Sequence, residues 1–236
     1  MTVTIRGTRF ELHRGLVNTL AALPTKKAMQ GRSIDWAQIR VGAEPEHWVS
    51  YAMDTNFMTV TSSSELVAMQ PDWRGLVEGD QALPNLHQVH ALDLPAIVKE
   101  LRPVKANTDQ VMSLVLTNVM WSLAPVDQLG SEFGKSGELQ DASAVDYDMA
   151  YPLFTRLFTD SYNCEPTNDR VNIAQNYLSR IAGLIGNPGG PINEPLRLRL
   201  TAWNKPINLK TGNTEGLLMP ARMGPSEDAD WIIKSA

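Results

Sequence analysis

Arginines in the last third of the chain have the types and spacing to bind phosphate. Arg170 and Arg180 are ten residues apart, about three turns of an α-helix, so a helix places both on one side. Asn172 and Asn176 lie between them, and amide side chains contact nucleic acid without sequence information when they bind sugar and phosphate. A guanidinium group binds phosphate through two parallel hydrogen bonds. We therefore predict a nucleic-acid contact on the polar face of an amphipathic helix over residues 167–185.

A second basic group follows in the alternating segment Leu196–Thr201. Alternation with period two is typical of a β-strand and places its two arginines on one face. The complete candidate nucleic-acid-binding set is Arg170, Arg180, Arg197, Arg199, Lys205, Lys210, Asn172 and Asn176. The alternative for this set is a solvated surface whose cations form salt bridges with acidic parts of the chain.

Other arrangements that could carry chemistry are incomplete. The segment Gly130–Ser136 has three residues between its glycines, whereas a phosphate-binding P-loop requires four and a preceding buried strand. His87 and His90 have Asp93 nearby but no full set of metal ligands. Cys164 has no glycine-rich elbow or oxyanion-type loop beside it. We predict no catalytic residue, no metal and no cofactor, and a protein that is not an enzyme.

The charge of the chain is unevenly distributed. Its net charge is -5 over 236 residues, with 43% hydrophobic and 20% charged residues. Residues 1–43 hold seven basic and two acidic side chains, residues 44–169 hold six and nineteen, and residues 170–210 hold six and one. Two basic blocks flanking an acidic one indicate contact with a polyanion or with complementary surfaces of other subunits. Chance distribution over solvated faces is the competing interpretation.

The cysteine content and the apolar segments predict an intracellular protein. A single cysteine, Cys164, cannot form an internal disulfide. The first residues lack the apolar block of a signal peptide. The uncharged run Gln110–Val126 is shorter than the ~20 residues of a membrane-spanning helix.

The elements that would position these residues are predicted to be mainly α. The segment Thr108–Ala124 is apolar on most sides of a helical projection, which is typical of a buried helix. Thr2–Leu12 predicts a short β-hairpin or arm, followed by a helix that ends before Pro24. Residues 71–93 contain prolines and glycines and are interpreted as a surface loop.

Three segments follow from this organisation. They are a basic N-terminal arm with the first helix at residues 1–43, a helical core domain at 44–186, and an extended, partly β C-terminal arm at 187–236. Six prolines interrupt the last segment, and Trp231–Ile233 is a small apolar anchor within it. An extended segment with such an anchor typically lies over a larger body, either its own domain or a neighbouring subunit.

The function predicted from these features is structural. A helical body with extended arms and no motif is similar, in a loose sense, to viral coat and nucleocapsid proteins. Many copies would assemble through both arms around nucleic acid, with single-stranded RNA expected, held by non-specific phosphate contacts. The expected location is the virion, and the host cytoplasm during assembly. The alternatives are an enzyme of another family with a pocket near residues 71–93, and a cellular interaction or adaptor protein.

Overall fold

Strands, rather than helices, make up most of the ordered elements. The computed structural model describes residues 2–27, 29, 33–63, 85–128, 134–142, 154–166, 171–186, 195–201 and 205–221. Within these residues eleven strands form two antiparallel sheets, and four α-helices accompany them. The prediction of a mainly α fold with a helical body is therefore wrong. No helix in this part of the chain is long and apolar enough to cross a membrane.

The elements have the following bounds. The strands are β1 Val3–Thr8, β2 Trp36–Val41, β3 Trp48–Met53, β4 Phe57–Ser62, β5 Asn85–His90, β6 Val111–Leu116, β7 Met120–Pro125, β8 Lys135–Glu138, β9 Arg197–Arg199, β10 Ile207–Thr211 and β11 Thr214–Leu218. The α-helices are α1 Arg9–Ala22, α2 Leu94–Leu101, α3 Phe154–Tyr162 and α4 Gln175–Ala182.

One order of elements occurs twice in the first part of the chain. A strand, a helix and three strands form β1-α1-β2-β3-β4, and the same order returns as β5-α2-β6-β7-β8. The first strand of each unit pairs with the second strand of the other, because β1 pairs with β6 and β5 pairs with β2. The two units are thus interlocked, and each contributes a strand to the other's sheet.

The two sheets differ in how their outer edges are completed. The smaller sheet has the order β1-β6-β7-β8, and the larger has the order β5-β2-β3-β4-β11-β10-β9. The edge of β4 is covered by β11, whereas β8 pairs only with β7 among the described residues. The domain boundaries at residues 43/44 and 186/187 stay a prediction; strands on both sides of each boundary belong to the larger sheet.

The segment Thr108–Ala124, predicted as a buried helix, forms the hairpin of β6 and β7. Met112, Leu114 and Leu116 of β6 are buried, and in β7 the buried Trp121 and Leu123 alternate with exposed residues. The pattern has the period of two that a strand requires. Thr117 closes the turn, since its Oγ1 accepts a hydrogen bond from the backbone N–H of Met120 at 3.0 Å.

The predicted N-terminal hairpin is also absent. Thr8 ends β1 and caps α1, because its Oγ1 accepts from the Glu11 N–H and the Glu11 carboxylate accepts from the Thr8 N–H. This reciprocal capping box satisfies two amides at the start of a helix. Strand β1 pairs with the distant β6 instead of with the residues that follow it. The helix expected before Pro24 is present as α1.

Both faces of the larger sheet are covered. On one face, α1 and α2 share a core with both sheets, in which Leu12, Leu16 and Ile97 are fully buried. On the other face, Phe158 of α3 packs in a smaller cluster with Tyr51 and other side chains of the sheet. The predicted loop at 71–93 is wrong for residues 85–90, which form β5; residues 71–84 lie outside the described residues.

Candidate nucleic-acid interface

Arg180 is engaged inside the protein. Its Nη1 lies 2.5 Å from Oδ2 of Asp54, and the two side chains are 14% and 11% exposed. Its Nε and Nη2 donate to the backbone oxygens of Ala21 and Leu23, at the C-terminal end of α1. The guanidinium also lies 4.9 Å from the ring centroid of Tyr177. Arg180 therefore joins α4 to α1 through the same guanidinium nitrogens that were predicted to bind phosphate.

The predicted helix over residues 167–185 is shorter in the structure. Helix α4 covers Gln175–Ala182. Residues 167–170, including Arg170, lie outside the described residues. Asn172 precedes the helix and accepts a hydrogen bond from the Ala221 N–H on its backbone oxygen at 2.8 Å. Asn176 has an exposed side chain on the first turn.

The basic residues of the C-terminal strands have different surroundings. Arg199 donates to the backbone oxygens of Tyr162 and Cys164 at 2.7 and 2.8 Å, so it anchors the end of α3. Lys210 pairs with Glu215 across the β10–β11 hairpin at 3.3 Å. Arg197 and Lys205 have exposed side chains. Because Arg199 and Arg180 have different partners, these contacts do not bring them into one cluster.

A group of cations outside the predicted set lies on the helical side of the molecule. Lys99 stands in the last turn of α2, and Arg102 and Lys105 follow the helix; all three side chains are exposed. We call these three residues the α2 basic surface. A cation in the last turn is favoured by the partial negative charge at a helix C-terminus. Exposed side chains of this kind have the charge and reach to contact phosphate oxygens.

Helix α1 supports this surface. Arg9, the first residue of α1, donates from Nη1 to the backbone oxygen of Glu100 at 2.7 Å and from Nη2 to Oε1 of Gln110 at 3.2 Å. His13 lies one turn further along α1, and burial together with the charge of Arg102 lowers its pKa. A neutral His13 leaves the cationic character of the surface to Lys99, Arg102 and Lys105.

The histidines considered as metal ligands lie on opposite sides of the larger sheet. His87 is paired with the core residue Ile39, and His90 stacks edge-on against Trp36 with ring centroids 4.8 Å apart. Successive residues of a strand point to opposite faces of the sheet. Because His87 and His90 are three positions apart in β5, their side chains lie on opposite faces. Among the described residues, no three His, Cys, Asp or Glu side chains are grouped closely enough to hold a metal ion.

Comparison with known proteins identifies the fold. No protein-family model and no curated protein matches the chain. A DNA polymerase sliding clamp from Pseudomonas aeruginosa matches with a TM-score of 0.54 and 14% identity, over 94% of this chain and 66% of the clamp. A putative DNA polymerase III beta subunit from Eubacterium rectale matches with 0.56 and 12%, over 98% of this chain and 68% of the subunit.

A third structure agrees with these two. The DNA polymerase III beta subunit from Thermotoga maritima has a TM-score of 0.56 and 9% identity, over 100% of this chain and 68% of that protein. The chain therefore spans about two thirds of the length of the structures it matches. At such low identity the likeness establishes a sliding-clamp-like fold.

This fold overturns the function predicted from sequence. The hypotheses of a viral coat or nucleocapsid protein and of a virion location are wrong, because the similar structures are bacterial DNA polymerase clamps. The expectation that the protein is not an enzyme agrees with the clamp fold. Self-association and nucleic-acid binding also agree with it, whereas single-stranded RNA and viral assembly find no support.

The sequence contained one signal for the α2 basic surface. Lys99, Arg102 and Lys105 lie within seven consecutive residues that contain one acid, Glu100, so a local count of charge marks this segment as basic. They lie in the block of residues 44–169 that holds nineteen acidic side chains. Summing charge over so long a block conceals a local basic group.

Proposed function

We propose that this protein is a DNA clamp: copies of the chain associate through the edges of their sheets and surround duplex DNA, with the helices facing it. The observation that supports the proposal is the fold, since the chain matches three sliding clamps over 94%, 98% and 100% of its length with TM-scores of 0.54 and 0.56. Sliding clamps self-assemble into rings and bind DNA. The two requirements for this chain are thus an edge for assembly and a surface for DNA.

Strands β8 and β9 supply the edges. Each is the last strand of its sheet among the described residues, and each is short, with four and three residues. A terminal strand presents unpaired backbone groups that pair readily with a strand of another chain. Two different terminal strands in one molecule allow head-to-tail association, which closes into a ring when the rotation between copies permits.

The α2 basic surface supplies the DNA contact. Its three cations are exposed on the helical side, where α1 and α2 pack together. Neutralising backbone phosphates is independent of base sequence, as a protein that moves along DNA requires. Arg197, Lys205 and Asn176, predicted from sequence and exposed, remain candidates for additional phosphate contacts.

The test measures retention of the full-length chain on nicked circular duplex DNA and on the same DNA after linearisation, over a range of salt. A ring is retained on the circle and leaves the linear molecule through its ends, so linearisation is expected to reduce retention at least about ten-fold at moderate salt. Each lost phosphate contact reduces the logarithmic salt slope by about 0.9. The triple variant Lys99→Ala, Arg102→Ala, Lys105→Ala is expected to reduce that slope by about 2 to 3.

The matched control is Arg156→Ala. Arg156 has a side chain that is 76% exposed on α3, and α3 packs on the face of the larger sheet opposite α1 and α2. The Arg156→Ala variant should therefore leave the salt slope of DNA binding unchanged. Equal retention on circular and linear DNA would contradict the clamp, and an unchanged slope for the triple variant would remove the α2 basic surface from the DNA contact.

A further inference from the structure

A cavity opens on the helical side of the molecule. Its volume is about 320 Å³, and it lies between the end of α1, the turn before α2, and α4. Most of its wall is apolar and includes Leu20, Leu23, Met29, Leu92 and Pro95. Leu92 at the rim is 46% exposed. The volume falls within the range of about 300–1,000 Å³ seen for ligand pockets, so one large apolar side chain fits.

The charge around this cavity is positive. Lys26 lines it, and the neighbouring Lys27 is also exposed. Arg180 contributes to the wall, but its guanidinium is already bound to Asp54 and to backbone oxygens of α1. The complementary occupant is therefore a peptide with a large apolar side chain beside acidic residues.

One segment of the chain has this composition. Glu227, Asp228 and Asp230 directly precede Trp231, Ile232 and Ile233, and the segment lies outside the described residues. It combines three carboxylates with an aromatic side chain and two branched aliphatic ones. Tryptophan is the side chain most suited to anchor a peptide in an apolar pocket, because it buries a large area at a low cost in conformational entropy.

The segment can reach the cavity within the same chain. The described chain ends at Ala221, whose N–H donates to the backbone oxygen of Asn172 at 2.8 Å. Asn172 precedes α4, which carries Arg180 at the cavity wall. Helix α4 is about 12 Å long, and the ten residues from Ala221 to Trp231 span up to about 33 Å when extended.

We propose that residues 227–233 dock in this cavity of their own chain, with Trp231 in the apolar space and the preceding acids against Lys26 and Lys27. The site is then a peptide-binding pocket occupied by an internal segment. Connection through so short a linker gives the segment an effective concentration of about millimolar. A separate peptide of the same sequence therefore competes poorly for the cavity in the unchanged protein.

The test is a titration of a fluorescent synthetic peptide of residues 224–236 against full-length protein. Trp231→Ala removes the internal anchor, so this variant is expected to bind the peptide at least ten-fold more tightly than the unchanged chain. Adding Leu92→Glu places a carboxylate at the rim and should abolish that binding. The matched control adds Leu178→Glu instead: Leu178 is 50% exposed on α4 and is not part of the cavity wall, so binding should persist.

Four results would overturn the proposal. Equal affinity of the peptide for the unchanged chain and for Trp231→Ala would show that the internal segment does not occupy the cavity. Binding to no variant, or binding that is insensitive to Leu92→Glu, would show that the cavity does not take this sequence. A lower oligomer mass for Trp231→Ala would place the segment in a second copy of the chain. The peptide titrations involve neither DNA nor assembly of the chain, so their outcome is independent of the clamp proposal.

Discussion

His87 shows at the scale of one residue how burial changes a titratable group. Its side chain is 5% exposed and faces the core beside Ile39. Its Nε2 has no hydrogen-bond partner. Burial lowers the pKa of His87 to about 4, with a smaller effect from the charge of the N-terminus, because the charged imidazole loses its hydration. The folded protein therefore holds His87 neutral at a pH where the unfolded chain is protonated.

We expect this histidine to make the protein sensitive to acid. Since the folded pKa of His87 is about 4 and the unfolded value is about 6.5, stability is fully present above pH 6.5 and is lost as the pH falls towards 4. The loss amounts to about 3 kcal/mol. Urea unfolding between pH 7 and 4.5 measures how the free energy of unfolding depends on pH. This dependence should be flatter for His87→Leu than for the unchanged protein. The control, His47→Gln at a half-exposed position, should show the same dependence as the unchanged protein.

Arg180 is expected to stabilise the fold through its buried ion pair. Arg180→Ala leaves the Asp54 carboxylate, 11% exposed, without its charged partner, and such a loss costs about 3–5 kcal/mol. Arg180→Lys keeps the positive charge but cannot reach Asp54, Ala21 and Leu23 together. Its stability should therefore lie between that of the unchanged protein and that of Arg180→Ala. Equilibrium unfolding in urea measures the differences. Equal stability of all three proteins would show that this contact is dispensable.

At the scale of elements, the contact between α1 and β3 depends on Gly15. A Cβ at this position would lie 2.5 Å from Cη2 of the fully buried Trp48. Gly15→Ala should therefore destabilise the protein by about 1–3 kcal/mol or more through overpacking. Gly183→Ala is the control, because its nearest contact is 3.4 Å from the added atom. The thermal unfolding midpoints of the two variants measure the difference. Equal shifts of the midpoint in both variants would contradict this explanation.

The β8 edge gives a prediction on assembly. Ser136 lies in the middle of β8, and proline there removes a backbone N–H and disfavours a neighbouring strand. Under the clamp proposal, Ser136→Pro should weaken self-association at least about ten-fold in sedimentation experiments, while Ser136→Thr keeps the N–H and the strand preference. Self-association that is equally strong in both variants would exclude β8 as an assembly edge.

At the scale of the molecule, we expect the chain to fold as a single cooperative body. Core residues come from the whole described sequence, from Val3 to Leu218. Strands β9–β11 complete the larger sheet next to β4, and Ile207 and Leu209 are buried in the same core as α1.

Truncation tests this dependence. Removing residues 195–236 exposes the β4 edge and the core residues that Ile207 and Leu209 cover, so we expect the sharp unfolding transition to be lost. Removing only residues 222–236 leaves every described strand in place and should preserve one cooperative transition. Calorimetry distinguishes the two cases. A sharp transition in the shorter protein would show that the first part of the chain folds independently.

The local signals of the sequence predicted two elements well. The helix expected before Pro24 is present as α1, and the alternation around Leu198 indicated the strand β9. The segment Thr108–Ala124 was misread because apolar residues on both faces of a hairpin resemble a helix that is apolar all round. For the candidate arginines the sequence was less informative, because spacing shows which side chains share a face but not what that face contacts.

The sequence by itself determined the local preferences: where α1 starts and stops, where turns fall, and which side chains are apolar enough to be buried. The tertiary structure decided the pairing of β1 with β6 and of β4 with β11, and with it the clamp-like fold. It also decided the role of Arg180, whose carboxylate and carbonyl partners lie more than 100 positions away in the chain. Such contacts depend on long-range packing, because local propensity and spacing do not indicate which distant segment of the chain will lie next to a given strand or side chain.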